Sequence, residues 1–216
     1  EILINDLTDH KISINYKNKI NCIACGAETP KSYHQGYCYS CYTTLPQTDA
    51  GVLRPEQDRS HEGISRDMEW AKKNSLVDHI VYLSLTSNLK VGVTRKKQIP
   101  VRWIDQGASK AIRLAKTPYR KLAGDIEVFL KNYISDKTNW QQMLLASEPE
   151  INLAEKKKEL SNKLPEELSQ FVTIDNRIVS FIYPGQYDFS KLKQGFQNVN
   201  NSISGIIGKN KALSGM

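Results

Sequence analysis

Long apolar runs are missing from this 216-residue chain. The longest, such as Ile80 to Leu83, extend over a few residues, whereas a bilayer-crossing helix needs about 20. A membrane-spanning role is therefore excluded. No basic, then apolar, then small-residue succession opens the sequence, so no secretory leader is expected and the cytoplasm is the expected compartment. The first residue is Glu1, which is consistent with a processed or truncated start. Cysteine is scarce, with four residues in all, which excludes a cysteine-dense disulfide scaffold. Glycine and proline, at 12 and 8, are too few for a fibrous or low-complexity chain, and no repeat is visible. Acids are outnumbered, 23 against 30 Lys plus Arg, for a net charge of +7. That balance favours a polyanionic partner if the surplus is clustered. The length fits one medium domain or two small ones.

All four cysteines fall in one window, Cys22, Cys25, Cys38 and Cys41, spaced C-x2-C-x12-C-x2-C. A thiolate pair two residues apart grips one face of a tetrahedral ion, and two such knuckles close a four-sulfur shell. We read a structural zinc site rather than two disulfides. Four sulfurs leave no open position for water, so the metal would hold up a segment too short to bury its own core. His34 could stand in for one sulfur but reads better as a loop residue.

Residues 46 to 79 carry Pro46, Gly51, Pro55 and Gly63 without sustained periodicity, which predicts an irregular connection with a short helix near Asp67 to Lys73. Beyond it, Ile80 to Leu85 and Lys90 to Thr94 form two β-type runs across a short polar link, an antiparallel hairpin. Pro100 then opens a helix to about Gly107, and Ala111 to Ala115 forms a third strand. Leu122, Ile126, Phe129, Leu130 and Tyr133 mark one face of a helix of about four turns. Helices follow at Leu153 to Leu164 and Pro165 to Gln170. A second hairpin is expected from Phe171 to Ile174 and Arg177 to Tyr183 around Asp175 and Asn176, then a strand from Asn198 to Ser204. The fold class is α+β: a zinc-ribbon-like segment (1–47), a connection (48–79), a central ββαβα module (80–147) and a β-rich extension (148–216).

Charge is concentrated. Between Lys90 and Lys121 ten basic residues (Lys90, Arg95, Lys96, Lys97, Arg102, Lys110, Arg113, Lys116, Arg120, Lys121) stand against one acid, Asp105. A positive face of this kind raises the local concentration of phosphate backbones, so nucleic acid, DNA or RNA, is the expected partner. A merely solvated basic surface is the plain alternative.

Val81-Tyr82-Leu83, then Lys90-Val91-Gly92-Val93-Thr94, then Arg102 and Glu127 on successive helices, together resemble the GIY-YIG nuclease fold over about residues 80 to 135. With the four cysteines, the stretch Arg102-Trp103-Ile104-Asp105-Gln106-Gly107-Ala108 and Asn139-Trp140, the whole chain is similar to an uncharacterised bacterial family joining a zinc knuckle to such a module. The resemblance implies a divalent-metal-dependent phosphodiesterase. Tyr82 matches the tyrosine that helps activate water, and Arg102 matches the arginine that neutralises charge on the phosphate. Glu127 matches the carboxylate that holds Mg²⁺ or Mn²⁺, and Gly92 the motif glycine that permits close approach. Lys90 departs from the pattern, standing where active nucleases carry a second tyrosine; a lysine binds phosphate as a point charge without reproducing a phenol's proton transfer. Relatives also carry further cysteines before the hairpin, where this chain has none, so a second zinc is not expected. The alternatives are a binding module that has lost its chemistry and an adaptor for an acidic protein. Singly, Tyr82 reads as core, Arg102 as a partner of Asp105, and Glu127 as a partner of Lys131.

Overall fold

A computed structural model describes residue 13 and residues 15–137 and 150–182. The described residues divide into two compact units, one up to Thr43 and one from Thr44 onward. The first holds the cysteine window and the start of helix α1 (Tyr39–Thr44). Its chain is otherwise tied by turns and by the isolated bridges Asn21 to Glu28 and Tyr33 to Tyr37. Of residues 15–43 only Cys22 and Thr29 are buried. The expected ribbon is thus not formed from regular strands among the described residues, because so short a segment has no apolar face to pair.

The second unit is a mixed α+β fold on a four-stranded antiparallel sheet, in the order β2-β1-β3-β4. Strand β1 (His79–Leu85) is central and buried along its whole length. It pairs with β2 (Leu89–Arg95) in a hairpin and with β3 (Lys110–Thr117) on the other side. Burial on both faces explains why β1 is a continuous apolar run rather than an alternating one. Alternate residues Val81, Leu83 and Leu85 meet Val91, Ile112 and Leu114 beneath α5 (Arg120–Leu130), through Ala123, Ile126 and Leu130. Ile80 and Tyr82 point the opposite way, against Trp103 of α4 (Val101–Asp105), Ala108 and Ala111. The β1–β3 register shifts between Val81 and Tyr82, whose partners are Ala115 and Arg113. The α5 helix stops at Leu130, three residues before the last position of its apolar pattern, and Tyr133 is half exposed beneath Lys163.

The connection has more structure than its sequence indicates. One-turn helices include α2 (Ala50–Leu53), and α3 (Met68–Asn74) is capped by the Asp67 carboxylate, which accepts from the Trp70 N–H. Helix α6 (Leu153–Ser161), capped by Asn152, sends Leu153 and Leu160 into the main core, and α7 (Glu166–Ser169) follows.

The second hairpin requires correction. Phe171 to Ile174 does not pair with the next segment. Val172 bridges Ala115, and β4 (Ile178–Ser180) pairs with Ile112 to Lys110, so both pieces lie in line along the open edge of β3. Asp175 does not turn the chain back; its carboxylate accepts from the Arg177 backbone N–H and guanidinium. The Lys157 ammonium donates to the carbonyls of Thr173 and Asp175 and pins this link. Asn139, Trp140 and the strand expected from Asn198 to Ser204 lie outside the described residues.

Candidate functional site

Two centres are built by these elements, one in each unit. In the first, the chain turns at Cys22 to Ala27, where the Cys22 N–H meets the Ala27 carbonyl and the Gly26 N–H meets the Cys22 carbonyl. An N–H from Ile23 to the Gly36 carbonyl ties this knuckle to the second. Cys38 sits just before α1 and Cys41 in its first turn, where the Cys41 N–H points at the Cys38 sulfur, 3.5 Å away. The four sulfurs all lie within 4.8 Å of one another, and Cys25 and Cys38 are 3.8 Å apart. A tetrahedron with metal–sulfur bonds of about 2.3 Å has edges of about 3.8 Å, so the set fits one ion, and no disulfide joins any two of the cysteines. Backbone N–H groups of Cys25 and Cys38 hold the Cys22 thiol down at about 6. The Cys41 thiol, hydrogen-bonded to Cys38, rises to about 12. Without metal the sulfurs therefore share protons, which an incoming cation would displace. His34 is not part of the cluster; its ring lies between Tyr37 and Tyr42.

The second centre lies at the β1–β2 hairpin. Tyr82 is fully buried and donates its hydroxyl to the Gln106 Oε1 at 2.8 Å. Its ring crosses its strand partner Gly92, where a Cβ would lie 2.6 Å from the hydroxyl and 2.7 Å from Cζ. Only glycine leaves that space. Burial pushes the Tyr82 phenol up to about 12, with the Arg102 charge pulling it down and Glu127 pushing it up. Lys90, opposite Ser84 on β2, is almost wholly buried, and its ammonium is lowered by desolvation and by Arg102, against Asp136 and Glu127. Glu127 on α5 is nearly buried, and desolvation raises its carboxyl, opposed by Lys131. The Lys131 ammonium lies 3.6 Å from Glu127 and 3.0 Å from Asp136. Tyr82 and Lys90, on neighbouring strands, thus each feel the charges of Arg102 on α4 and Glu127 on α5. Gln106, Lys131 and Asp136 belong with them; Gln106 stands within the quoted 102–108 stretch, whereas nothing in the sequence singles out Asp136.

The basic residues are less uniform than their window implies. Lys96 and Lys116 both reach Asp78, at 3.7 and 2.8 Å, and Lys121 pairs with Asp125 at 2.8 Å. Both acids lie outside the 90–121 stretch. Arg120 donates to the carbonyls of Gly51 and Val52, holding α2 against α5, and Arg95 donates to Asn74 and Gln98. Lys97 is exposed, while Lys110 and Arg113 are partly covered. Among the described residues no helix is long and apolar enough to cross a membrane.

A family model described as "Protein of unknown function (DUF2797)" matches residues 9–212, nearly the whole chain. No curated protein and no solved structure matches.

Proposed function

The chain belongs to the DUF2797 family, and we propose that it is a zinc-containing nucleic-acid-binding protein whose β1–β2 hairpin, α4 and α5 form a GIY-YIG-like site for metal-dependent phosphodiester cleavage. The observation that carries the reading is the burial of three titratable side chains, Tyr82 over Gly92, Lys90 and Glu127, the first two of which both feel the charges of Arg102 and Glu127. A buried carboxylate, two cations and a phenol drawn from the hairpin and its two helices suit a reaction in which negative charge develops on a phosphate.

Each side chain has a part in this mechanism. Arg102, exposed on α4, offers a planar fork to the phosphate oxygens, and Lys90 adds a point charge. Tyr82 remains protonated at neutral pH and donates its proton to Gln106, so toward the attacking water its hydroxyl acts as an acceptor. Glu127 is the carboxylate for a magnesium or manganese ion, which when bound supplies Lewis acidity at the scissile phosphate. Lys131, 3.6 Å from Glu127, opposes the rise that burial imposes on that carboxyl.

The test is cleavage of plasmid and single-stranded substrates with added Mg²⁺ or Mn²⁺. Glu127→Gln keeps the shape and removes the charge, so it should lower cleavage at least 100-fold while leaving nucleic-acid binding within about twofold. A wild-type chain that binds but never cleaves sinks the enzymatic reading. The second reading, a binding module without chemistry, is favoured by Lys90 in place of a second phenol and by a Tyr82 phenol held near 12.

A further inference from the structure

A cleft of about 240 Å³ opens beside this centre, between α3, the end of β2, α4 and the start of α5. Its walls include Trp70, Asn74, Arg95, Gln98, Arg102 and Arg120, and no carboxylate lines it. Three arginines therefore line one small space, and each stays cationic at any physiological pH. Arg120 is disfavoured as a cation by burial; the charges of Asp58 and Glu127 oppose this, and those of Arg95 and Arg102 add to it more weakly. The Asp58 carboxylate sits behind the wall, held by the Ser75 hydroxyl at 2.6 Å and the Ser60 N–H.

The arginines are preorganised for an anion. Arg120 uses Nε and Nη2 on backbone carbonyls, and Arg95 uses Nε and Nη1 on Gln98 and Asn74. A guanidinium carries five N–H donors, so each keeps donors after being anchored. The half-buried Trp70 adds a flat aromatic wall. The Gln98 Oε1 accepts from Arg95 and from the Thr94 hydroxyl, which leaves its amide NH₂ as a donor. The volume, below the roughly 300–1,000 Å³ of pockets that enclose drug-sized ligands, suits an anionic group and part of the unit attached to it, the remainder lying at the open mouth.

We propose that this cleft is a mononucleotide subsite, in which Arg95, Arg102 and Arg120 hold a phosphate and the indole of Trp70 stacks on the attached base. The choice of a nucleotide rests on the phosphodiester reading above, since Arg102 is shared with the Tyr82 centre; the subsite seats the unit next to the bond that is cut.

The experiment is calorimetric titration of the full chain, without added divalent cation, using adenosine 5′-monophosphate, adenosine and inorganic phosphate as probes. The monophosphate should bind at least tenfold more tightly than either of the others. Trp70→Ala should weaken it about tenfold, as loss of one base–aromatic stack does, and Trp70→Phe should restore most of that loss. Gln98→Ala, which spares the core, should weaken it severalfold. Equal affinity for the three probes, or Trp70→Ala and Gln98→Ala variants that melt normally and bind as the parent does, overturns the subsite. Cleavage separates the two ideas. A chain that cuts DNA or RNA yet ignores the monophosphate removes the subsite and leaves the nuclease; one that binds it through Trp70 but cuts nothing does the reverse.

Discussion

The imidazole of His79 is fully buried at the start of β1, its Nδ1 2.7 Å from the Val77 carbonyl and its Nε2 without a partner among the described residues. Burial lowers it to about 4; the Val77 carbonyl and Asp58 oppose this, while Arg120 and Arg95 reinforce it. In the unfolded chain the group titrates near 6.5, so between those values the unfolded state binds more protons and stability is lost as pH falls. From pH 7.5 to 5.0 that linkage amounts to about 2 kcal/mol. Urea unfolding should therefore show the wild-type chain losing about 2 kcal/mol more than His79→Gln across this range; equal losses would refute the assignment. The cysteine thiols, common to both proteins, cancel in the difference. No sequence signal distinguishes this histidine, because its state is set first by burial in the folded core and then reinforced by Arg120 and Arg95, which belong to α5 and β2. Tyr82 and Gly92 were legible for the opposite reason. They oppose each other across a hairpin whose short link fixes the register, so local sequence carries their contact.

At the scale of elements the same contrast decides what could be read. The β1–β2 hairpin, α4, β3 and α5 follow from two β-type runs across a short polar link, Pro100, the alternation of residues 111–115 and a 3.6-residue apolar stripe. The second hairpin did not, since the turn chemistry of Asp175 and Asn176 is compatible with either a reversal or a bend, and only the free edge of β3 selects the bend. The connection was illegible because distant residues hold its one-turn helices, as Arg120 does at Gly51 and Val52. Helix α5 records this packing at Gly124, where an added Cβ would lie 2.2 Å from the Glu56 nitrogen and 2.5 Å from the Pro55 carbonyl carbon. Both are backbone atoms that no rotamer change can move. In an isolated helix Gly→Ala gains about 1 kcal/mol; here Gly124→Ala should destabilise by about 1–3 kcal/mol through overpacking. Equilibrium denaturation of the two proteins gives the sign directly, and a gain in stability would show that residues 55–57 do not pack tightly on α5.

Over the whole molecule, what a composition window can report is limited by where countercharges come from. The ten-to-one excess from Lys90 to Lys121 is genuine in sequence, yet Asp78 and Asp125 enter from outside it and Arg95 and Arg120 serve the fold. The cysteine spacing survives this problem because a metal demands only that four sulfurs meet, and two short knuckles bring that about locally. Residues 15–43 bury almost nothing else, so hydrophobic burial cannot hold them; structural zinc binding, worth about 10–16 kcal/mol in comparable small segments, can. Elemental analysis should find one zinc per chain, and Cys25→Ser or Cys38→Ser should remove it. Backbone amide resonances of residues 15–43 should then collapse toward unfolded positions, as they should on adding a strong zinc chelator. Those of β1 and β3, whose core is apolar and metal-free, should hold. A variant that loses zinc and keeps the knuckle resonances dispersed would show that turn hydrogen bonds alone suffice. Collapse of β1 with the knuckle would show instead that the metal supports both units.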